Sequence, residues 1–448
     1  MRQAIGSLAA ICLIASFAAP PATAQTNANA EVCAASDDGA FSPSQRIAAC
    51  NVLIKAAKNA PKELADALVN RGEAAWYVDK MKQAFADLDR AIALDPKNAR
   101  AFRERSNAHR SSGDLDRALA DANEAVRLDP KDAKAFDNRG NVFNDNGQYD
   151  RAIEDYQEAL RLDPKFSLAF RDRGAAYYFK KDYERAIKDY DEAIRLDPRS
   201  DRAYSNRGAA YKKLGRNAQA IADESEAIKL DPSAPEYFDN RGLSYAENGD
   251  FDRAIIDYNE AIRIAPQANF LTNRGNAFQA KRDLDRAIAD YDRALKLNPG
   301  FSNAYNNRGA AFREKGDLDR AIADYEEALR IDPRFDTAAE NLAAVRQLRD
   351  RRDAASDRVR PTFACGPAAR AVEKAICSDP ELTRLDRQID DAYKAALARL
   401  DRKGVVRLQK EQRNFVAKRD KSFGDPDYRL KRELEARLAA LRGMAGGN

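Results

Sequence analysis

Histidine is almost absent from this sequence, since His109 is the only one among 448 residues. Base-assisted nucleophilic catalysis of the common kinds needs an imidazole beside the nucleophile. The sequence also has no glycine-rich phosphate loop, no serine-centred elbow and no thiol placed near a base. We therefore predict that the protein is not an enzyme and has no cofactor.

The sequence also lacks an excess of either charge, with 76 lysines and arginines against 72 acidic residues. This balance argues against nucleic acid as the main partner. The charges interleave as Asp-Arg and Glu-Arg pairs, a pattern typical of a solvated helical surface. The 44% hydrophobic and 33% charged content indicates a soluble, folded chain.

Long apolar runs are missing except at the start, where residues 4–19 are apolar and end in two prolines and Ala22-Thr23-Ala24. This pattern predicts a secretory signal peptide over residues 1–24, cleaved after Ala24, and a periplasmic or secreted protein. The run is too short for a transmembrane helix. Cys12 leaves a lipid anchor as the alternative, but the bulky Ile11 and the early position argue against it.

Four cysteines remain in the predicted mature chain and form two close pairs, one near each end. In an exported protein we expect two local disulfides, Cys33 with Cys50 and Cys365 with Cys377. Metal binding is the competing interpretation, and it would need more ligands nearby.

Proline recurs with a period of 34 residues, shortened once to 33, through the middle of the chain. A fixed period in this range indicates a solenoid of repeats. The prolines are Pro96, Pro130, Pro164, Pro198, Pro232, Pro266, Pro299 and Pro333.

Small residues recur in phase with these prolines, which we number as position 32 of each repeat. Position 8 is glycine in seven repeats and Ser106 in the other, and positions 20 and 27 are alanine in all eight. These residues resemble the tetratricopeptide repeat (TPR) family closely. The resemblance implies an all-α solenoid of about eight helical hairpins over residues 65–335, with a concave groove lined by the first helix of each unit. His109 stands where most repeats have an aromatic ring, which favours a core or boundary residue over a functional imidazole.

An arginine at position 7 and an aspartate at position 23 are present in all eight repeats. The helix–helix turn lies midway between the two positions, so they should sit level across the hairpin. We interpret them as a structural ladder of ion pairs, because a half-buried lone arginine would be costly.

Asparagine occupies position 6 in six repeats and could line the groove. Its amide both donates and accepts hydrogen bonds and could grip an extended peptide. The alternative is that asparagine is simply common before Arg-Gly in such repeats. The candidate peptide-binding residues are Asn70, Asn138, Asn206, Asn240, Asn273 and Asn307.

Three shorter segments flank the repeats. Residues 25–64 should be a loosely ordered arm followed by a half-repeat that starts at Ser42-Pro43. Residues 336–353 should form a polar capping helix, and residues 354–362 a linker.

The composition changes from Phe363 onwards. Cys365 and Cys377, the Leu385-Asp386 pair, Glu411-Gln412-Arg413-Asn414-Phe415 and Arg419-Asp420 resemble the LprI-type lysozyme-inhibitor family over residues 363–442. The resemblance implies a small helical domain. The family usually has a tryptophan at the place of Phe415 and a second cysteine pair, which this chain lacks.

These observations together predict an exported scaffold that binds peptides or proteins in its groove and carries a second binding module at its C-terminus. The alternative is inhibition of a lysozyme-like muramidase by the LprI-like domain. No membrane insertion is expected.

Overall fold

The computed structural model describes residues 22–35, 40–57, 59–359, 362–366, 369–425 and 428–446. Over these residues the chain forms 23 α-helices and no β-strand, which confirms the predicted all-α class. The predicted signal peptide lies outside the described residues except for residues 22–24. None of the described helices has the length and apolar character needed to cross a bilayer.

The chain divides after Pro266 into two compact units. In the first unit, two helices precede the first repeat, and twelve more form six repeat hairpins. Their bounds are α1 (Ala22–Ala34), α2 (Pro43–Ala56), α3 (Pro61–Tyr77), α4 (Met81–Leu94), α5 (Ala99–Ser111), α6 (Leu115–Leu128), α7 (Ala133–Asp145), α8 (Tyr149–Leu162), α9 (Ser167–Phe179), α10 (Tyr183–Leu196), α11 (Asp201–Lys213), α12 (Asn217–Leu230), α13 (Pro235–Glu247) and α14 (Phe251–Ile264).

The second unit contains the last two hairpins, a long helix and a small C-terminal helical region. Their bounds are α15 (Ala268–Ala280), α16 (Leu284–Leu297), α17 (Ser302–Glu314), α18 (Leu318–Ile331), α19 (Asp336–Val359), α20 (Ala371–Ser378), α21 (Pro380–Leu397), α22 (Arg402–Ser422) and α23 (Leu430–Gly446).

The repeated residues set the ends of the helices. In the fourth repeat the side chain of Asp182 accepts a hydrogen bond from the backbone N–H of Arg185 and caps α10. The same helix ends at Leu196, two residues before Pro198, because proline cannot donate to the helical ladder and restricts the residue before it. Between α7 and α8 the chain turns at Gly147, whose φ of 72° favours a residue without a side chain.

The small residues let the two helices of a hairpin approach closely. Ala152 and Ala159, at positions 20 and 27 of the third repeat, are completely buried. A Cβ atom added to Gly140 would lie 2.7 Å from the ring of Tyr156, so only glycine fits there. The buried core runs from Phe143 through Tyr190 to Ala210, across three repeats of the first unit, so neighbouring repeats share one core.

The N-terminal arm differs from the prediction. Residues 22–34 form helix α1, which packs against α2 and also contacts α3, so the expected loosely ordered arm is instead the first half of a hairpin. Cys33 and Cys50 are bonded and join the two helices. The predicted start of α2 is confirmed, because Ser42 and Gln45 form a capping box.

The capping helix also differs from the prediction. Helix α19 continues to Val359 and does not end at residue 353, so most of the predicted linker over residues 354–362 is helical. Its first turns bury Leu342 and Val345 against Phe312 and Tyr325 of the eighth repeat. Further along the helix, Arg346 forms an ion pair with Glu326. The surface at this end of the repeats is therefore charged.

The C-terminal region has a core of its own. Ile376, Leu408, Leu434 and Leu441, from three different helices, are almost completely buried in one cluster. The Cys365–Cys377 bond ties the segment before α20 to that helix.

Candidate functional site

The arginine at position 7 binds the aspartate at position 23 in every repeat. Nε and Nη2 of the guanidinium donate to the two carboxylate oxygens at 2.6–2.9 Å. The aspartates are only 3–7% exposed, so each pair is held in a poorly solvated place. The predicted structural ladder is confirmed. The pairs are Arg71–Asp87, Arg105–Asp121, Arg139–Asp155, Arg173–Asp189, Arg207–Asp223, Arg241–Asp257, Arg274–Asp290 and Arg308–Asp324.

The remaining guanidinium nitrogen, Nη1, contacts the preceding repeat. The repeat pattern alone did not predict this contact. Nη1 of Arg207 lies 2.6 Å from Asp191, which is position 25 of the fourth repeat. Nη1 of Arg241 lies 3.1 Å from Ser225 at the same position of the fifth repeat. The sequence does contain a signal for this contact, because position 25 is polar in all eight repeats. One arginine therefore stabilises both its own hairpin and the contact with the hairpin before it.

Glu224 replaces the tyrosine that five other repeats bury at position 24. It is 1% exposed, its Oε1 accepts a hydrogen bond from the Ser205 hydroxyl at 3.1 Å, and its Oε2 has no partner among the described residues. Burial raises the pKa of this carboxyl from 4.5 to about 8, although the hydrogen bond from Ser205 and the charge of Lys212 act in the opposite direction. The group is therefore mostly protonated near neutral pH.

His109 lies at a boundary, as its position in the repeat predicts. Its ring is 4.7 Å from that of Phe85, and its Nε2 is 3.9 Å from the carboxylate of Asp121. It lines a cavity of about 740 Å³ that Arg105 and Arg117 also line. Burial lowers the pKa of the imidazole, which keeps it neutral near pH 7.

The asparagines at position 6 fall into two groups. Asn138 donates from Nδ2 to Asn107 at 2.8 Å, and Asn307 donates in the same way to Asn276 at 2.9 Å. The acceptor in both cases is position 9 of the preceding repeat, so these amides are used between repeats. Where position 9 is alanine, this partner is missing.

Asn206 belongs to the second group, because Ala175 stands at position 9 of the repeat before it. Asn206 is half-buried, and its side chain makes no hydrogen bond with any residue that the structure describes. Asn240 follows Ala209 and has only a 3.4 Å contact with the Ser205 hydroxyl.

The remaining members of the asparagine set lie elsewhere. Asn70 is 7% exposed, and Asn273 is half-buried in the second unit and has an interaction of its own. The set is also interrupted by Glu104 and Asp172, which the neighbouring Arg103 and Arg171 neutralise. Among the described members of the set, the open amides are therefore those of Asn206 on α11, which has no partner, and of Asn240 on the neighbouring helix α13, which is held only by that 3.4 Å contact.

The C-terminal region presents a second polar site. Arg419 is 5% exposed and binds Asp420 through Nε and Nη2, at 3.0 and 2.9 Å. Asp386 accepts two hydrogen bonds of 2.8 Å from Thr362. A cavity of about 210 Å³ is lined by Arg419, Asp386, Thr362 and Phe415. Among the described residues, no group of three or more histidine, cysteine, aspartate and glutamate side chains is placed to hold a metal ion.

Family models match most of the described chain. A model described as tetratricopeptide repeat matches residues 65–133, 205–269 and 272–334. A second model, described as TPR repeat, matches residues 140–180 and 174–215. A third, described as lysozyme inhibitor LprI, matches residues 365–442. No curated protein matches the chain.

A solved structure shares the repeat fold. The chain is 18% identical to a chain of the APC/C hetero-tetramer Cut9-Hcn1, with a TM-score of 0.53, and the match covers 73% of this chain and 63% of that one. The chain thus spans less than two thirds of that protein's length. A tetratricopeptide repeat protein from Parabacteroides merdae is 20% identical over 55% of this chain and 98% of its own, with a TM-score of 0.46. The pilF protein of Pseudomonas aeruginosa is 21% identical over 48% and 97%, with a TM-score of 0.43.

Proposed function

Because this chain belongs to the tetratricopeptide repeat family and ends in a lysozyme inhibitor LprI domain, we propose that it is an exported adaptor that binds extended protein segments. Such repeats are a protein-binding scaffold. The observation that carries the finer proposal is the open amide of Asn206, on the first helix of its repeat. The binding face consists of α9, α11 and α13, which are neighbours in the first unit.

The chemistry of this face suits a peptide backbone. An extended segment offers N–H and C=O groups in alternation, and an amide side chain can answer either of them. Asn206 and Asn240 occupy the same position of successive repeats, so they present this chemistry twice along one segment. Asn206 can do so without breaking any contact, and Asn240 gives up only its 3.4 Å contact with Ser205, whereas Asn138 and Asn307 would each lose a shorter bond to the preceding repeat.

We predict that replacing both open amides weakens binding without harming the fold. Each lost hydrogen bond should cost about 1 kcal/mol, so Asn206→Ala with Asn240→Ala should lower peptide affinity roughly thirtyfold. The ligand would be a peptide enriched from a displayed random library on the mature protein, titrated by calorimetry. The melting temperature should change little, because alanine suits a helix better than asparagine.

A matched pair of substitutions provides the control. Asn138→Ala with Asn307→Ala removes two asparagines at the same position that are hydrogen-bonded to the preceding repeat. This control should lower the melting temperature and leave the affinity unchanged. Equal loss of affinity in both double variants, or no loss in either, would contradict a role for the open amides.

The export of the protein is supported by its two disulfides and by its LprI domain. We predict that the mature chain begins at Gln25 and contains no free thiol, because removal of residues 1–24 also removes Cys12, and the other four cysteines form the two described disulfides. Intact mass before and after alkylation tests this. The unreduced protein should gain no mass, and the reduced, unfolded protein should gain four alkyl groups. Four groups on the unreduced protein would rule out both bonds.

Inhibition of a lysozyme-like muramidase is a second candidate function, favoured by the match of the LprI model to residues 365–442. The test is clearing of a cell-wall suspension by a purified lysozyme in the presence of the full mature chain. Inhibition at a near-equimolar ratio would support this function. Undiminished clearing at a tenfold molar excess of the chain would reject it and leave the adaptor proposal standing.

A further inference from the structure

Four aromatic rings form a continuous surface where the helices of the third and fourth repeats turn. Phe179 stacks on Tyr149 with ring centres 5.5 Å apart, and its edge meets Tyr178 at 5.8 Å. Tyr178 in turn contacts Tyr183 at 5.4 Å. We call these four residues the aromatic patch. Phe179 is 53% exposed, so half of its ring faces water in the free protein.

The fold does not require an exposed ring at this place. Phe179 occupies position 13 of its repeat, and the same position holds Asp145 in the repeat before it and Lys213 in the repeat after it. Both neighbouring hairpins form without a ring there. Tyr178 and Tyr183 pack against the core of these repeats, but the stacked rings of Tyr149 and Phe179 are not in that cluster. Exposed apolar surface of this kind, bordered by charged residues, is a common mark of an interaction site.

Two lysines lie at the end of helix α11, the first helix of the next repeat. Lys212 and Lys213 form no ion pair within 4 Å with any residue that the structure describes. Position 12 of one repeat contacts position 13 of the next elsewhere in the first unit, as Trp76 does with Ser111 and Arg110 with Asp145. By the same repeat geometry Tyr178, at position 12, lies beside Lys213. Lys213 therefore adds an exposed positive charge beside the rings, while Lys212 is half-buried and its charge acts on Glu224.

The open amide of Asn206 lies on the same face of α11 as Lys213. The two residues are seven apart, which is close to two helical turns and about 10 Å along the axis. Three or four residues of an extended segment span that distance. One short segment could therefore place a side chain on the patch, a charge near the lysines and its backbone against the amide.

We propose that the aromatic patch is the anchoring site for an extended segment of a partner protein that carries an aromatic side chain next to acidic residues. The proposal rests on the adaptor function and specifies its partner. The partner's ring covers Phe179, and its carboxylates pair with Lys212 and Lys213. Aromatic anchors of this kind carry much of the binding energy at protein interfaces, and the lysines select the charge of the segment.

The test uses three capped peptides with the mature protein: Gly-Ser-Phe-Asp-Glu-Gly, a version with serine in place of phenylalanine, and a version with two lysines in place of the acids. Fluorescence anisotropy of labelled peptides gives the affinities. We expect the first peptide to bind at least tenfold more tightly than either of the others. Its affinity should fall as salt is raised, because two charges are paired.

Three variants locate the site. Phe179→Ser should weaken binding of the first peptide about tenfold or more, and so should Lys212→Ala with Lys213→Ala. The matched control is Ile256→Ser, since Ile256 is a more exposed apolar residue, 64% exposed, that lies outside the patch. It should leave the affinity unchanged. Melting curves of Phe179→Ser and Ile256→Ser should overlay that of the parent, because both side chains are exposed. The double lysine variant should differ from the parent only through Lys212, which is half-buried.

Several outcomes would overturn the patch proposal. They are equal binding of the three peptides, failure of the first to bind, or an unchanged affinity in Phe179→Ser. A change in the emission of Trp76, the only tryptophan, would instead place the peptide on the first repeat. If library peptides still bind and depend on Asn206 and Asn240, the adaptor function stands without the patch. If no library peptide binds, the adaptor function fails as well.

Discussion

Replacement of Arg207 by alanine is expected to destabilise the protein by about 3 kcal/mol, because it leaves Asp223 buried without its partner. Asp223 is 5% exposed, and burial raises its pKa even with the guanidinium in place. The substitution also removes the 2.6 Å contact with Asp191 in the preceding repeat. Urea denaturation of Arg207→Ala and of the parent protein measures the loss.

Three further variants identify the cause of this loss. Arg207→Lys keeps the charge but cannot form the fork of two parallel hydrogen bonds, so it should recover only part of the stability. Arg207→Ala with Asp223→Ala should be less destabilised than Arg207→Ala alone, because no buried charge remains. Arg216→Ala breaks an exposed pair with Glu184 and should cost less than 1 kcal/mol. If the double variant lost as much stability as Arg207→Ala and Asp223→Ala lose when added together, the two residues would not interact. That result would contradict the pairing.

The second large effect concerns pH and Glu224. Its pKa is about 8 in the folded protein and 4.5 ordinarily, so between these values the folded chain binds a proton that the unfolded chain has released. Stability from this group is therefore fully present below pH 4.5 and is lost as the pH rises through 8. The loss should amount to roughly 4 kcal/mol. It is measured as the difference in unfolding free energy between the parent and Glu224→Gln at pH 5 and at pH 9.

The control for this prediction is Glu226→Gln, on the same helix, where the side chain is 46% exposed and pairs with Lys229. Its stability relative to the parent should be nearly independent of pH over the same range. If the difference in unfolding free energy between the parent and Glu224→Gln were the same at pH 5 and at pH 9, the carboxyl would not be buried in solution.

Glu224→Tyr restores the residue of the neighbouring repeats and should raise the melting temperature above that of the parent at pH 8. A ring at this position packs against Gly208 as Tyr156 packs against Gly140, and it avoids the desolvation of a carboxylate. A lower melting temperature would mean that the hydrogen bond from Ser205 to Glu224 stabilises the protein more than a buried tyrosine ring does.

The periodic residues made most of the hairpins predictable. Proline at position 32 and alanine at positions 20 and 27 act through contacts inside one repeat, so a single period reveals their role. Helix α1 carries no such pattern, because its alanines and asparagines show no apolar stripe, and its place became visible only through its packing on α2. The end of α19 was missed for a similar reason, since no proline or glycine stops the helix before Val359.

The candidate site was less predictable, because it depends on contacts between repeats. The type of residue at position 6 is visible in the sequence, but whether its amide is available depends on position 9 of the repeat before it. Asn138 and Asn206 therefore look alike in the sequence and differ in the structure. The aromatic patch was missed because Tyr149 and Phe179 lie 30 residues apart and stack only across two hairpins.

The contact between a position-7 arginine and position 25 of the repeat before it recurs along the chain, as in Arg105 with Asp89 and Arg308 with Asp292, so one repeat can take the place of another. Removing residues 201–234, one whole period, would join the fourth repeat to the sixth. Arg241 would then meet Asp191 where it now meets Ser225, and the junction would gain a charged acceptor. The length of this protein can thus change in steps of one period, by duplication or loss of a gene segment, without leaving an arginine stranded at the new junction.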